Sequence, residues 1–242
     1  MYQALRRAIR SSPLCHQVMR HFIERYHRLG VRPDTQVVLE GYQRCSNSFA
    51  TVAFMHAQTE PVSIAHHLHS VAQIKLGVRR GLPTLVLIRE PRGATLSFTI
   101  RRELPSVVWA LEEYLDFYRG VEPLADRVVI ADFTETTADM GAVTRRLNER
   151  FGTHFGEFDH TEENVEAVYR ELEQIEQDAS GETEVRETHV ARPSEARQAL
   201  KEKLAAQFEQ SPARELYAEA SALYAQLRQQ SAPQSPAPSP SH

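Results

Sequence analysis

Two polar segments in this sequence each follow an apolar run and combine arginine with small hydroxyl residues. The first, RCSNS, starts at Arg44, and the second starts at Arg89 and has Ser97 eight positions later. Guanidinium groups, hydroxyls and the N–H groups at the start of a helix are what proteins use to bind phosphate or sulfate. The two segments therefore predict an anion-binding site.

Ordinary structural interpretations of both segments stay open. Ser46 or Asn47 could simply cap a helix, with Arg44 as a surface charge. Arg89 could pair with a carboxylate such as Glu40, although a charge at the end of a buried strand is costly unless it is paired. Residues 75–102 hold seven basic residues and one acid, which favours an anion-binding region.

Three histidines, His66, His67 and His69, lie between the two segments at the expected end of a strand. On an extended chain, His67 and His69 would share one side and His66 would face the other. No Cys, Asp or Glu nearby completes a metal-binding set, so we expect no metal. A histidine acting as a general base fits the pattern better, with a purely structural role as the alternative.

The elements expected around these residues form an α/β domain. Strands are predicted at 36–42, 62–67, 84–88 and 127–133, and helices at 47–59, 71–80, 93–102, 106–124 and 137–151. This alternation predicts a three-layer α/β/α fold with a central parallel sheet, with extra helices at the N-terminus and, at about 194–208 and 212–229, at the C-terminus. Sheets of this kind bind ligands at the carboxyl ends of their strands, where both arginine segments follow.

The 242 residues, 41% of them hydrophobic, predict one domain with appendages. Residues 1–30 are expected to be a helical segment packed on the core, interrupted near Ser12-Pro13, and 31–230 the domain itself. The Pro/Ser-rich residues 231–242 are expected to be disordered. Two unrelated cysteines, no apolar run of membrane-spanning length and no signal peptide predict a cytoplasmic protein.

Charge is distributed unevenly along the chain. Residues 1–102 contain 15 Lys and Arg against 5 Asp and Glu, whereas residues 103–242 contain 13 against 27. The asymmetry predicts that the first part meets an anionic ligand or surface, with a chance split between basic and acidic faces as the alternative. The basic, amphipathic N-terminus also permits a peripheral membrane contact. No nucleic-acid partner is expected, and oligomeric state is left open.

The same residues resemble motifs of the sulfotransferase family. GYQRCSNSFA resembles the family's 5′-phosphosulfate loop, P-[KR]-S-G-[TN]-[TS]-[WFL]. REPRGATLSF resembles its 3′-phosphate motif, in which Arg-x-Pro is followed by a serine eight positions after the arginine. HHLHSV aligns with the lysine-x-histidine segment that carries the catalytic base. The resemblance keeps the family's order over residues 36–155.

The resemblance implies a P-loop NTPase-like sulfotransferase fold. It implies 3′-phosphoadenosine-5′-phosphosulfate (PAPS) as the donor and 3′-phosphoadenosine-5′-phosphate (PAP) as the product, without a metal. Arg44 would reach the transferring sulfonate, and Arg89 and Ser97 would hold the 3′-phosphate. His69 would be the general base, and His67 would take the position of the family's lysine. The nucleotide's 5′ end would be bound by the first loop: Arg44, Cys45, Ser46, Asn47, Ser48 and Phe49.

The sequence departs from the family pattern in three places. Ser46 replaces the usual glycine, so the turn must accept a Cβ. ADFT replaces a Tyr-Glu-Asp stretch, and the glycine-rich Arg-Lys-Gly loop that covers the adenosine is absent. Arg186, His189 and Arg192 are the candidate substitutes for that loop, with an ordinary lead-in to a helix as the alternative.

The predicted function is transfer of a sulfonate group from PAPS to a hydroxyl or amine of a small-molecule or carbohydrate acceptor, by in-line attack with a histidine base. One alternative is a P-loop kinase for a small molecule or nucleotide. The missing G-x-x-x-x-G-K-[ST] motif and the missing aspartate set for magnesium argue against it. The other alternative is a non-catalytic descendant that binds phosphoadenosine.

Overall fold

A four-stranded parallel sheet in the order β2-β1-β3-β4 forms the centre of the computed structural model, which describes residues 11–180 and 195–231. The strands are β1 (Val37–Gly41), β2 (Ile64–His66), β3 (Thr84–Ile88) and β4 (Val129–Asp132). Every residue of β1, β3 and β4 is buried. Parallel strands covered on both faces have this unbroken apolar character, and the predicted α/β fold with a parallel sheet is confirmed.

Helices cover both faces of the sheet. They are α1 (Pro13–Phe22), α2 (Glu24–Leu29), α3 (Asn47–His56), α4 (Val71–Arg79), α5 (Pro91–Arg101), α6 (Val107–Val121), α7 (Phe133–Ala138), α8 (Met140–Phe151), α9 (Glu162–Ser180), α10 (Glu195–Ala205) and α11 (Ala213–Ser231), with 3₁₀ turns at Glu122–Arg127 and Ala206–Glu209. Helices α3, α8 and α9 pack on one face, and α4, α6 and α11 on the other.

The sheet reverses its winding direction between β1 and β3. β2 pairs with one edge of β1, in the register Val37↔Ile64, and β3 pairs with the other, in the register Gly41↔Leu87. The chain therefore leaves β1 and β3 in opposite directions and opens a crevice at their carboxyl ends. Arg44 follows β1 and Arg89 follows β3, so the fold delivers both arginine segments to this crevice.

The region after β4 differs from its prediction. The predicted strand 127–133 is shorter because Asp132 accepts the N–H of Thr134 and, with Glu135, forms a capping box that starts α7. The helix predicted over 137–151 starts later because Asp139 caps α8 by accepting the N–H of Ala142. Two aspartates at N-cap positions thus start two helices where one was predicted.

The N-terminal helices pack beside β2 and α4. Ser12 is the N-cap of α1 and accepts the N–H of Cys15, while Pro13 takes the first helical position, so the predicted interruption is the start of a helix. Lys75 on α4 donates to the carbonyl of Ser11. Residues 1–10 and 232–242 lie outside the described residues. Within those residues no helix is long and apolar enough to cross a membrane.

Candidate active site

Four residues with left-handed backbone shape the loops after β1 and β2. Their φ angles are 66° at Arg44, 64° at Ser46, 55° at His67 and 50° at His69. For a residue with a Cβ this conformation costs about 1–2 kcal/mol. Such strain persists where the surrounding structure fixes it, and it concentrates at functional sites. The serine in place of the family's glycine is thus accommodated in the left-handed conformation that glycine would favour.

The start of α3 is not capped by a side chain. Ser46 is the N-cap residue, but its hydroxyl donates to the carbonyl of Cys45, and the helix has no side-chain cap hydrogen bond. The side-chain amide of Asn47 donates to the carbonyl of Tyr42 instead. Ser46 is therefore the N-cap residue, as the structural interpretation of this segment had it, but it makes no side-chain capping bond. The first-turn N–H groups of α3 point towards the crevice without intrahelical partners, as at any helix start.

Three loop residues predicted to bind the donor turn their side chains into the core. The thiol of Cys45 lies 3.4 Å from the hydroxyl of Tyr118, and burial raises its pKa to about 12. Asn47 and Phe49 are buried as well, with the Phe49 ring 5.7 Å from that of Tyr169. These side chains anchor the loop, so these three residues can offer a ligand only their main-chain groups.

Arg44, Arg89 and Ser97 form one hydrogen-bonded cluster across the crevice. Nε of Arg44 donates to the Ser97 hydroxyl at 3.0 Å, and a terminal nitrogen of Arg89 donates to the Arg44 carbonyl at 2.8 Å. The Arg89 guanidinium also lies 3.9 Å above the ring centroid of Phe133, the first residue after β4. The structure thus brings the two predicted arginine segments into direct contact.

Arg89 is a partly buried cation whose described partners are a carbonyl and an aromatic ring. Burial lowers the pKa of its guanidinium, and no carboxylate in the described ranges forms an ion pair with it. Glu40, its suggested alternative partner, instead accepts the N–H groups of Leu68 and His69 at 2.9 and 3.0 Å. A desolvated charge in this state is stabilised when an anion enters the crevice.

Glu40 and Gly41 hold His69 in a defined tautomer. Nδ1 of His69 lies 2.9 Å from the carbonyl oxygen of Gly41. Because a carbonyl can only accept, Nδ1 carries the proton, and in the neutral ring the lone pair is on Nε2. The fully buried Glu40 carboxylate also accepts from the side chain of Gln73 at 2.7 Å, which ties β1 to the histidine loop and to α4.

His67 is engaged at both ring nitrogens. Nε2 lies 3.0 Å from the Ser48 hydroxyl, and Nδ1 lies 2.6 Å from Nδ1 of His66. Burial lowers the pKa of His67 well below its usual value and that of His66 to about 4. The expectation that His66 faces away from His67 is wrong, because β2 ends at His66 and the left-handed turn at His67 brings the two rings together.

The basic residues of 75–102 do not form one anion-binding region. Arg80 donates to the carbonyls of Arg32 and Pro33 at the amino end of β1, and Arg101 pairs with Glu176 at 2.9 Å. Arg92 lies over the ring of Phe208. Helix α4 runs antiparallel to the strands, so its C-terminal basic residues lie at the opposite end of the sheet from Arg89. This part of the prediction is wrong.

Sequence reasoning missed residues that support the site from behind. Tyr114 on α6 donates its hydroxyl to the carbonyl of Arg89 at 2.8 Å, and Phe133 provides the surface for its guanidinium. One feature of the sequence indicated a role for Glu40: it is the single acid in an otherwise apolar strand. Arg186, His189 and Arg192 lie outside the described residues. Within the described ranges, no group of His, Cys, Asp and Glu side chains is arranged to hold a metal ion.

Comparison with known proteins gives a structural likeness. The chain matches no known protein-family model and no curated protein sequence. Among solved structures it is similar to the crystal structure of mouse sulfotransferase SULT7A1 complexed with PAP. The TM-score is 0.41 and the sequence identity is 11%, over 80% of this chain and 90% of that chain.

Proposed function

We propose that this protein transfers a sulfonate group from PAPS to a hydroxyl or amine of a small-molecule or carbohydrate acceptor. The observation that carries the proposal is Arg89. It is a desolvated cation that has no ion pair among residues 11–180 and 195–231, and it lies at the switch point of the sheet, hydrogen-bonded to the loop of Arg44. Two guanidinium groups, a hydroxyl and a helix N-terminus at one crevice suit a donor with two separate phosphate positions.

The donor would lie across the carboxyl ends of β1 and β3. In the proposed arrangement, the first-turn N–H groups of α3 and the hydroxyls of Ser46 and Ser48 surround the 5′-phosphate. Arg89 and Ser97 hold the 3′-phosphate, which distinguishes this donor from ATP. The present Arg44–Ser97 hydrogen bond would then be exchanged for bonds from each residue to the donor. Arg186, His189 and Arg192 are proposed to close over the nucleotide or the acceptor.

Chemistry would proceed by in-line attack of the acceptor on sulfur. Nε2 of His69 takes the proton of the attacking hydroxyl or amine as the new S–O or S–N bond forms. The bond from sulfur to the 5′-phosphate oxygen breaks, and Arg44 and the α3 N-terminus stabilise the negative charge that develops on that oxygen. Preorganised donors of this kind contribute about 3–4 kcal/mol each in other enzymes.

The geometry favours His69 over His67 as the base. Both ring nitrogens of His67 are engaged, and its pKa is lowered well below neutral, so its protonated form is strongly disfavoured. His69 presents the tautomer with its lone pair on Nε2, held by a carbonyl at Nδ1. We therefore propose that His67 positions Ser48 within the donor loop through the contact between its Nε2 and the Ser48 hydroxyl.

Thermal unfolding with matched nucleotides tests the proposal. PAP at 100 times its dissociation constant should stabilise the protein by about 2.7 kcal/mol. AMP, which lacks the 3′-phosphate, should stabilise the protein much less than PAP does at equal concentration. In the Ser97→Ala variant, the difference in stabilisation between PAP and AMP should be smaller. Stabilisation by ATP with magnesium but not by PAP would favour the kinase alternative and overturn the proposal.

A turnover assay separates an enzyme from a non-catalytic binder. Sulfonate-labelled PAPS would be incubated with panels of alcohols, phenols, amines and sugars, and labelled products separated from the donor. An enzyme yields a labelled product whose formation depends on His69. Tight PAP binding without transfer to any acceptor class would support the non-catalytic descendant instead.

A further inference from the structure

We propose that helices α1 and α2 form a docking surface for an anionic lipid bilayer. This surface, termed here the N-terminal hairpin, comprises Pro13–Leu29. The proposal does not depend on the sulfotransferase activity, because it uses residues outside the crevice. Three observations carry it: an exposed apolar stripe, a buried polar residue on the reverse side, and an excess of arginine.

The apolar stripe runs along the outer side of α1. Leu14, Val18 and Phe22 are spaced four residues apart, which places them on one side of a helix. Their exposed fractions are 71%, 50% and 84%, and Ile23, directly after α1, is 38% exposed. Isolated exposed apolar residues are ordinary, but a continuous row of this kind marks an interaction surface.

The inner side of α1 is unusually polar for a helix that packs on a protein. His16 is 1% exposed, stacks edge-on against Tyr26, and has neither ring nitrogen hydrogen-bonded. Burial lowers its pKa to about 4, so it is held neutral. The helix therefore buries its histidine and leaves Leu14, Val18 and Phe22 exposed, the reverse of what packing against a core alone would favour.

The charge around the stripe selects an anionic partner. Residues 1–29 contain six arginines and one acid, Glu24, whereas Arg32 just beyond them is paired with Asp34. Within the hairpin, Arg20 donates to the carbonyl of Val31 and Arg25 to that of His67, so neither charge is neutralised by these bonds. Arg28 is exposed beside them. Exposed apolar side chains and uncompensated arginines on the same pair of helices suit a segment that lies in the surface of an anionic membrane.

The same charge disfavours a symmetric dimer through this face. In a two-fold dimer the surface meets its own copy, which would place the arginines of one hairpin against those of the other. A bilayer with anionic headgroups meets the stripe with hydrocarbon and the arginines with opposite charge. We therefore propose that a membrane covers this surface. A dimer formed through the same surface is the competing possibility, which the experiments below distinguish.

Vesicle flotation with the full-length protein tests the surface. We expect binding to phosphatidylcholine vesicles that contain about 30% phosphatidylserine, and not to pure phosphatidylcholine vesicles. Raising the salt from about 0.1 to about 1 M should weaken binding because it shortens the screening length from about 10 to about 3 Å. Equal binding to both vesicle types, or none to either, would overturn the proposal.

Matched variants locate the binding on the stripe. The triple variant Leu14→Ser, Val18→Ser, Phe22→Ser should weaken vesicle binding about tenfold or more. The triple control Met55→Ser, Ile175→Ser, Leu200→Ser removes three apolar side chains exposed elsewhere and should bind as the original protein does. Arg28→Gln should weaken binding about fivefold. Equal loss in both triple variants would contradict the assignment.

Sedimentation without vesicles settles the competing occupant. Because the substituted side chains are exposed, both triple variants should keep the melting temperature of the original protein. A dimer that is lost only in the Leu14, Val18, Phe22 variant would show that a second copy covers the stripe, and would overturn membrane docking. A mass unchanged by either variant, together with selective vesicle binding, is the expected result.

Discussion

The two ends of the central sheet both require left-handed residues, but they fill these positions differently. At the amino end, where helices return to the strands, Gly81 and Gly152 adopt φ of 67° and 64°. At the carboxyl end the same conformation is adopted by Arg44, Ser46, His67 and His69. A fifth such residue, Glu103, follows α5. Glu103 apart, glycine occupies the left-handed positions where the chain only turns, and residues with side chains occupy those that face the crevice.

Arginines show a parallel contrast. At the amino end a groove of about 480 Å³ is lined in part by Arg127 and Arg150, and both donate to backbone carbonyls, of Val78 and Asp126. These side chains fasten loops. At the carboxyl end Arg89 and Arg44 connect one loop to the next, with Arg89 desolvated. We expect the position of an arginine relative to the strand ends, more than the density of basic residues, to decide whether it binds the donor.

The largest effect should come from the histidine assigned as the base. His69→Asn keeps a residue that tolerates the left-handed backbone, and it should lower the rate of sulfonate transfer about 10²–10⁴-fold while PAP affinity is retained. His154→Asn, at an exposed position just after Gly152, is the control and should leave the rate unchanged. If His67→Asn abolishes transfer and His69→Asn does not, the roles of the two histidines are exchanged.

Acid should destabilise the protein in part through His66, at the carboxyl end of β2. The pKa of folded His66 is about 4, against 6.5 for the free side chain, so the unfolded chain binds a proton that the folded chain refuses. The lowered pKa of His66 therefore contributes about 3 kcal/mol to the free energy of unfolding above pH 6.5, and this contribution is lost as the pH falls from 6.5 towards 4. Urea unfolding at several pH values in this range measures the free energy of unfolding. This free energy should depend less on pH in His66→Gln than in the original protein, and equally in His154→Gln.

The arginine contrast predicts a smaller, selective loss of donor affinity. Arg89→Ala should weaken PAP binding about 10–100-fold, since a hydrogen bond to a charged group contributes about 1.5–3 kcal/mol. Arg80→Ala at the amino end should leave PAP affinity unchanged. Titration calorimetry measures both, with circular dichroism to confirm folding. Equal losses in the two variants would mean that overall charge, not position, governs binding.

The smallest effect should come from exchanging residues between the two kinds of turn. Ser46→Gly should raise the free energy of unfolding by about 0.5–1 kcal/mol, because it releases left-handed strain at some cost in chain entropy. Gly81→Ala should lower it by about 1 kcal/mol, although nothing lies within 4 Å of the added Cβ. Chemical denaturation measures both, and destabilisation by Ser46→Gly would contradict the strain at this turn.

The sequence predicted the sheet and the positions of both arginine segments because these depend on local patterns. Unbroken apolar runs such as Thr84–Ile88 specify buried parallel strands, and parallel strands fix where the following loops lie. Other contacts of the site join residues far apart in the chain. Examples are the hydrogen bond from Arg44 to Ser97 and the one from the His69 N–H to Glu40. Such contacts depend on side-chain directions across the sheet, which neither periodicity nor spacing encodes.

Helix α11, which comes late in the chain, covers part of the central core. Helix α11 supplies Ala213, Ala220, Leu223 and Leu227 to the main core, and its Tyr224 hydroxyl donates to Asp132 at the end of β4 at 2.6 Å. During synthesis the preceding strands and helices emerge first, while this face of β4 and α6 still lacks its cover. This face of the sheet is therefore covered only once a helix far along the chain has emerged, and until then the nascent protein exposes apolar surface on β4 and α6.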